Sequence, residues 1–115
     1  MIDELIGQTI RAITVTIGYN DTATFLTKEG NTYIMKHYQD CCEYVRLEQT
    51  EGELQTIVGI PVITAEVVTN DKAKEGDDDG QWTFYRIGTK EGMVVLRWYG
   101  SSSGYYSIDV EFDKQ

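Results

Sequence analysis

The sequence has only one proline, one histidine and two cysteines, and its ten basic residues stand against nineteen acidic ones. Cys41 and Cys42 are neighbours, so they do not provide the disulfide framework of a small secreted domain. No apolar run is long enough to cross a membrane, and the chain opens on Asp3 and Glu4 rather than on a basic signal segment. These shortages predict a soluble cytoplasmic protein whose cysteines are buried hydrophobic residues or ligands.

The shortage of basic residues leaves a formal net charge of −9. Direct contact with a nucleic-acid backbone is disfavoured, because such contacts take their affinity from Lys and Arg displacing counterions. The electric field of the protein favours positively charged partners instead. Negative charge also keeps a protein soluble without any further role.

At 115 residues the chain is long enough for a single domain. Alternating apolar residues and turn signals predict a mainly β fold, an antiparallel sandwich or small barrel of about eight strands. The predicted strands are residues 9–17, 22–27, 32–36, 43–48, 62–69, 81–88, 93–99 and 105–113. One short helix is predicted within residues 50–58, with Thr50 as its N-cap and Gly59 ending it.

The two halves of the chain, residues 5–49 and 57–113, resemble each other. Residues 5–15 parallel residues 57–67, and the segment Thr-Lys-Glu-Gly occurs at residues 27–30 and again at residues 89–92. Chance is an alternative, because Gly and Thr are common in hairpins. If the halves are equivalent, the corner at residues 37–43 corresponds to residues 99–105, which predicts a shared surface or a homodimer interface.

The chemically densest stretch is the corner at residues 37–43. Its five zinc-compatible residues are His37, Asp40, Cys41, Cys42 and Glu43. On an extended strand Asp40 and Cys42 would point away from the other three, so a metal site would need a bulge or a second chain. In the alternative interpretation, Asp40 accepts hydrogen bonds from turn amides and the cysteines pack in the core.

A Cys-His nucleophilic pair is the enzymatic interpretation of the same corner. Such a pair needs one thiol within hydrogen-bond reach of His37 and a donor for the oxyanion, a geometry that neighbours on one strand rarely achieve. No nucleophile elbow, phosphate loop or paired-carboxylate motif occurs elsewhere in the chain. We therefore expect neither enzymatic activity nor a cofactor.

Acidic residues form two clusters that are candidate partner-binding sites. Asp109, Glu111 and Asp113 recur at every second residue, so their carboxylates would lie about 6.6 Å apart on one strand face, comparable to successive phosphates of a nucleic acid. The second cluster is on a loop able to reach a partner, and tyrosines after it would serve as interface anchors. These residues are Glu75, Asp77, Asp78, Asp79, Tyr105 and Tyr106. Each cluster alone is also typical of a solvated edge strand or loop.

Several segments resemble a family of small uncharacterised proteins of bacteriophages and other mobile elements. They are the segment His-Tyr-Gln-Asp-Cys-Cys-Glu from His37, the Gly-Ile-Pro after the predicted helix, Trp-Thr-Phe-Tyr from Trp82, and Gly-Tyr-Tyr-Ser from Gly104. The resemblance implies a small intracellular product of a mobile element, a class that includes many inhibitors of host defence.

Charge and resemblance together favour an interaction protein. The hypothesis is an anti-CRISPR-like inhibitor that fills the basic groove of a host nucleic-acid-dependent defence enzyme, for example an RNA-guided nuclease, whose channels are positively charged. It predicts a protein partner and no contact with nucleic acid or membrane. The alternatives are a metal-binding or thiol-reactive protein centred on residues 37–43, and a phage structural or assembly protein.

Overall fold

The chain folds as an antiparallel β-sandwich, as its alternating pattern predicts. The computed structural model describes residues 1–77, 79–102 and 106–115, and these residues form two four-stranded sheets. The strands are β1 (Ile10–Thr16), β2 (Thr22–Thr27), β3 (Thr32–Lys36), β4 (Tyr44–Glu51), β5 (Thr64–Asn70), β6 (Gln81–Thr89), β7 (Gly92–Ser101) and β8 (Glu111–Lys114). Two 3₁₀ turns, Ile2–Leu5 and Leu54–Ile57, complete the secondary structure of the described residues.

The order of the strands relates the two sheets. The first sheet is β1-β2-β3-β8 and the second is β4-β7-β6-β5. Each sheet therefore contains three consecutive strands of one half and the last strand of the other half. The strands β1 and β8 are the edges of the first sheet, and β4 and β5 are the edges of the second.

Matching backbone hydrogen bonds join the beginnings of the two halves. The N–H of Gly7 donates to the carbonyl of Val62 over 2.8 Å, and the N–H of Gly59 donates to the carbonyl of Ile10 over 2.9 Å. Thr9 and Pro61 form an isolated antiparallel bridge between these two bonds. Each bond is thus the counterpart of the other, with the chain segments exchanged.

The core lies between the sheets and is built from the inward residues of their strands. Leu47, Phe25 and Met35 are fully buried and Trp98 is 1% exposed, and each such side chain contributes about 1.5–3 kcal/mol by leaving water. The indole N–H of Trp98 donates to the sulfur of Met35 over 3.2 Å. This bond joins β7 of the second sheet to β3 of the first.

The prediction of a short helix within residues 50–58 is wrong. Thr50, its expected N-cap, lies in β4 and pairs with Leu96 of β7, and only the 3₁₀ turn Leu54–Ile57 is helical in this segment. Pairing with β7 continues to Glu51, because a strand gains ladder bonds and packing that a two-turn helix lacks. None of the helical segments in the described residues has the length and apolar character needed to span a bilayer.

Most strand boundaries differ from the predicted ones by a few residues, and the starts of β5 and β8 show this most clearly. Pro61 forms only the isolated bridge, so β5 begins at Thr64 rather than at residue 62. The last strand begins at Glu111 rather than at residue 105. Ile108, Val110 and Phe112 nevertheless pack against the core, as their alternation predicts, so the segment before β8 is anchored by burial without ladder pairing.

Candidate functional site

The acidic residues near the C-terminus form a row along β8 and the segment before it. We call Asp109, Glu111 and Asp113 the acidic row. Phe112, between the last two, packs against the core and stacks on Tyr33 with ring centroids 5.0 Å apart. The alternation of the strand therefore directs Glu111 and Asp113 away from the core. Lys36 is the cross-strand neighbour of Glu111, but its amine lies over the ring of Tyr38 at 4.6 Å.

The carboxylates of the acidic row are not engaged in ion pairs with described residues, unlike several carboxylates elsewhere in the fold. None of its three members forms an ion pair with a residue that the structure describes. Elsewhere in the fold, ion pairs with Arg, Lys or His engage Asp21, Glu43, Glu48, Glu51 and Glu66. The row therefore presents negative charge on this side of the sandwich, where Asp113 adds to the effect of Glu4 in raising the pKa of the N-terminal ammonium.

The negative charge of the acidic row contributes to raised pKa values at two tyrosines, Tyr85 and Tyr38. The pKa of Tyr85 is raised to about 12, chiefly by burial and in addition by the charges of Asp109 and Glu111. Desolvation also raises the pKa of Tyr38, which donates a 3.3 Å hydrogen bond to Asp113 and feels the charges of Asp113 and Glu111. Both phenols stay protonated at neutral pH and can act as hydrogen-bond donors.

The loop between β5 and β6, which we call the acidic loop, folds back onto the outer face of the second sheet. The hydroxyl of Tyr99 accepts the N–H of Lys74 over 2.9 Å and donates to Asp77 over 2.6 Å. The amine of Lys74 pairs with Glu48 and lies 4.6 Å from the ring centre of Tyr99. Asp77 therefore holds the loop in place.

Two further candidates of the loop can be placed. Asp79 accepts the N–H of Ser102 over 3.2 Å, so it too bonds to its own chain. Glu75 is exposed, whereas Asp78 lies outside the described residues. Among the candidate residues of the loop that the structure describes, only Glu75 thus presents its carboxylate outward without a hydrogen bond to its own chain.

The base of the loop and the acidic row border the same side of the molecule. A hollow lined by Asp71, Asp79, Gln81 and Ile108 adjoins a groove of about 430 Å³ that Gln81 and Ile108 also line. The acidic row lines the same groove. The two clusters, 30 residues apart in sequence, therefore flank one continuous surface.

The tyrosines predicted to be interface anchors lie in the chain crossing from β7 to β8. Tyr105 is outside the described residues. Tyr106 is 38% exposed, and its N–H donates to the hydroxyl oxygen of Ser102 over 3.3 Å. Tyr106 therefore contributes exposed aromatic surface next to the segment that carries the acidic row.

The histidine corner is organised around a buried carboxylate. The amide N–H groups of Asp40 and Cys41 donate to Glu43 over 2.8 and 2.9 Å, and His37 Nε2 lies 2.7 Å from Glu43 Oε2. The pKa of Glu43 is lowered to about 2, chiefly by the N–H of Asp40 and against the opposing effect of desolvation, with the N–H of Cys41 and His37 adding to the lowering. Glu43 is therefore ionised at neutral pH.

His37 links this corner to the acidic row. Its side chain is 6% exposed, and its Nδ1 lies 2.6 Å from the carbonyl oxygen of Asp109. A carbonyl and an ionised carboxylate only accept hydrogen bonds, so a ring nitrogen that bonds to either one does so as the donor. His37 thus links the start of the row to the corner.

The structural interpretation of the corner was wrong in two details. Glu43, rather than Asp40, accepts the turn amides. Cys41 and Cys42 are exposed rather than packed in the core, and their sulfur atoms are joined as a disulfide between neighbours. Across the described residues, no group of three or more His, Cys, Asp or Glu side chains is arranged to hold a metal ion.

We expect acid to destabilise the histidine corner. The pKa of Glu43 in the folded protein, about 2, lies below its ordinary value of 4.5, so Glu43 stabilises the fold fully above pH 4.5 and loses that effect as the pH falls towards 2. Urea unfolding at about pH 6 and about pH 3 measures this. The difference between the two stabilities should be smaller in Glu43→Gln than in the wild type.

The matched control for this measurement is Glu53→Gln, which alters an exposed carboxylate. It should retain the wild-type difference between the two pH values. Equal pH dependence in Glu43→Gln and the wild type would contradict the assigned role of Glu43. Faster hydrogen exchange at the amides of Asp40 and Cys41 in Glu43→Gln would locate the effect at the corner.

Sequence reasoning missed two residues of this end of the molecule, Asp21 and Tyr85. Asp21 bonds to Arg46 and Leu47, 25 and 26 positions away, and only its place in a turn was visible. Tyr85 lies on an apolar strand face typical of core. For Asp21 the sequence offers one signal, a charged residue between two apolar strands. For Tyr85 it offers a hydroxyl group within a run of core positions.

Fold and site together define a two-sheet β-sandwich with a row of three carboxylates that form no ion pair in the described residues. The chain belongs to the family described as Domain of unknown function (DUF7448), whose model matches residues 3–112. No curated protein and no solved structure matches the chain.

Proposed function

We propose that this protein is a binding protein that inhibits a nucleic-acid-dependent defence enzyme by occupying its positively charged groove. The observation that carries the proposal is the acidic row, whose three carboxylates form no ion pair in the described part of the chain. A net charge of −9 adds long-range attraction to any cationic surface. The inhibition is steric and electrostatic, with no covalent step.

The resemblance to mobile-element proteins supports the choice of target. The protein would act in the cytoplasm of a bacterial host, where an RNA-guided nuclease presents guide and target channels lined with positive charge. Carboxylates about 6.6 Å apart along a strand match the spacing of a nucleic-acid backbone well enough to compete for these channels. The protein would bind the enzyme and not its nucleic acid.

The test is inhibition of target-DNA cleavage by a panel of purified RNA-guided nucleases loaded with guide RNA. We expect inhibition at about 50 mM salt that weakens on the order of tenfold at about 200 mM, because exposed charges are screened. Asp109→Asn/Glu111→Gln/Asp113→Asn should lose most of the inhibition. A panel in which no nuclease is inhibited would reject this class of target.

The matched control is Asp40→Asn/Glu53→Gln/Glu91→Gln, which removes the same charge from exposed positions outside the acidic row. It should retain most of the inhibition, because the local row and not the net charge makes the contact. Equal loss in both triple variants would show that net charge alone acts, and the assigned site would then be wrong.

A further inference from the structure

A groove separates the two edge strands on the acidic side of the sandwich. It measures about 430 Å³ and is lined by Val67 and Thr69 of β5, three residues of β6 that include Tyr85, and residues 108–113, with Met1 and Ile2 of the N-terminal segment completing the lining. One wall is therefore an edge of the second sheet, and the other is the segment that leads into and forms an edge of the first. The gap between two such edges has the shape of a site for an extended chain.

The edge of β5 pairs with no described strand along this groove, although the 3₁₀ turn Ile2–Leu5 packs against part of β5. In the described residues β5 pairs with β6 alone, and every residue of β5 from Glu66 to Asn70 is exposed. Val67 is 40% exposed and Val68 is 36% exposed. An edge strand presents unpaired N–H and C=O groups that can accept a further strand. The part of β5 nearest the groove thus offers both backbone hydrogen bonds and apolar contacts.

Tyr85 supplies an independent sign that the groove takes a ligand. Its side chain belongs to the core and the residue is only 7% exposed, yet its hydroxyl forms no hydrogen bond with any described residue. Every fully enclosed side-chain nitrogen or oxygen in the described structure has a partner, so this hydroxyl opens to the groove that Tyr85 lines. A donor held in an apolar wall without a protein partner favours an incoming acceptor such as a peptide carbonyl.

The acidic row determines the charge of that ligand. Asp109, Glu111 and Asp113 border the groove opposite β5 and form no ion pair in the described structure. A strand in the groove would place alternate side chains against the apolar wall of Val67, Val110 and Phe112. The remaining side chains would lie at the rim, where cations complement the row.

We propose that this groove binds an extended, basic segment of a partner protein as an added strand on the edge of β5, with its cationic side chains against the acidic row. The inference rests on the proposed function only for the basic character of the partner. It adds the mode of binding, which is backbone pairing to β5 in addition to charge attraction.

The probe is an acetylated and amidated peptide of alternating valine and lysine, about eight residues long, which matches the length of an ordinary strand. Binding is followed by fluorescence anisotropy, and hydrogen exchange of the β5 amides is followed by NMR. We expect binding to slow exchange in residues 66–70. Methylating alternate backbone nitrogens of the peptide should weaken binding at least tenfold, because those N–H groups can no longer pair.

Two variants test the walls of the groove. Tyr85→Phe removes a hydroxyl that has no partner in the described protein, so it should leave folding intact and weaken the peptide about threefold to tenfold. Tyr19→Phe is its control, because Tyr19 is 83% exposed and does not line the groove. Asp109→Asn/Glu111→Gln/Asp113→Asn should weaken binding at least tenfold.

The outcomes separate this inference from the proposed function. Equal binding of the methylated peptide, with unchanged exchange in β5, would overturn strand addition and leave electrostatic inhibition standing. Strand addition that occurs while no nuclease is inhibited would support the groove and reject the enzyme target. If a peptide with glutamate in place of lysine bound as tightly as the lysine peptide, a basic partner would be rejected for this inference and for the proposed function.

Discussion

Asp21→Ala should lower the free energy of unfolding by about 3 kcal/mol, a large part of the 5–15 kcal/mol typical of a domain. The carboxylate is 2% exposed. It accepts the N–H of Gly18 over 2.7 Å, the Nε–H of Arg46 over 2.7 Å and the buried N–H of Leu47 over 2.9 Å. Removing it leaves the Leu47 donor buried without a partner and Arg46 without its counter-charge.

Thermal unfolding followed by circular dichroism measures this effect, and a decrease in Tm of about 10 °C is expected. Asp21→Asn is the informative comparison because it keeps the shape and one acceptor but removes the charge. It should cost roughly half as much. Asp40→Asn, at an exposed position, should change stability by less than about 0.5 kcal/mol. A cost for Asp21→Ala as small as that of Asp40→Asn would show that the carboxylate does not join the sheets.

Asp21 illustrates what could and could not be predicted from the sequence. Residues 22–27 and 32–36 were predicted as strands with the bounds observed for β2 and β3, because period-two burial and turn residues are local signals. The partners of Asp21 lie in the other sheet. No local pattern reports which distant strand a turn will contact, so the residue that joins the two sheets was predicted only as part of a turn.

The pairing of the last strands had the same limit. Residues 43–48 were predicted as a strand, and Val45 and Leu47, which alternate within it, are both buried. This alternation did not indicate that β4 would leave β1 to β3 and pair with β7, nor that β8 would pair with β3. Register and partner are decided by how well two sheets bury their faces together, which is a property of the whole fold. The pseudo-repeat of the two halves remains a prediction of the sequence.

The candidate site was predictable in residue type but not in roles. The acidic row could be identified from its spacing in the sequence. That its members form no ion pair in the described residues depends on the folded arrangement, which the spacing does not reveal. Asp77 and Asp79, chosen for the same acidity, bond to Tyr99 and Ser102 of their own chain. Composition cannot distinguish a carboxylate that forms no bond within the protein from one that holds a loop.

The failure of the helix prediction leads to the second large effect, which is expected at Gly52. A helix over residues 50–58 needs φ near −63° at this position, whereas Gly52 has φ of +88°. That conformation ends β4 and sends the chain into the 3₁₀ turn Leu54–Ile57. A Cβ at Gly52 would lie 2.5 Å from the carbonyl oxygen of Met93, a backbone atom held by the pairing of β6 with β7.

Gly52→Ala should therefore cost about 2–5 kcal/mol, the sum of the left-handed backbone penalty and the displacement of Met93. Gly7→Ala separates the two contributions, because Gly7 has the same φ of +88° and no atom within 4 Å of its Cβ position. It should cost only the backbone penalty, about 1–2 kcal/mol. Urea unfolding of both variants measures the difference. Equal costs would mean that Met93 yields freely, and that the positive φ of Gly52 alone ends β4 where a helix was expected.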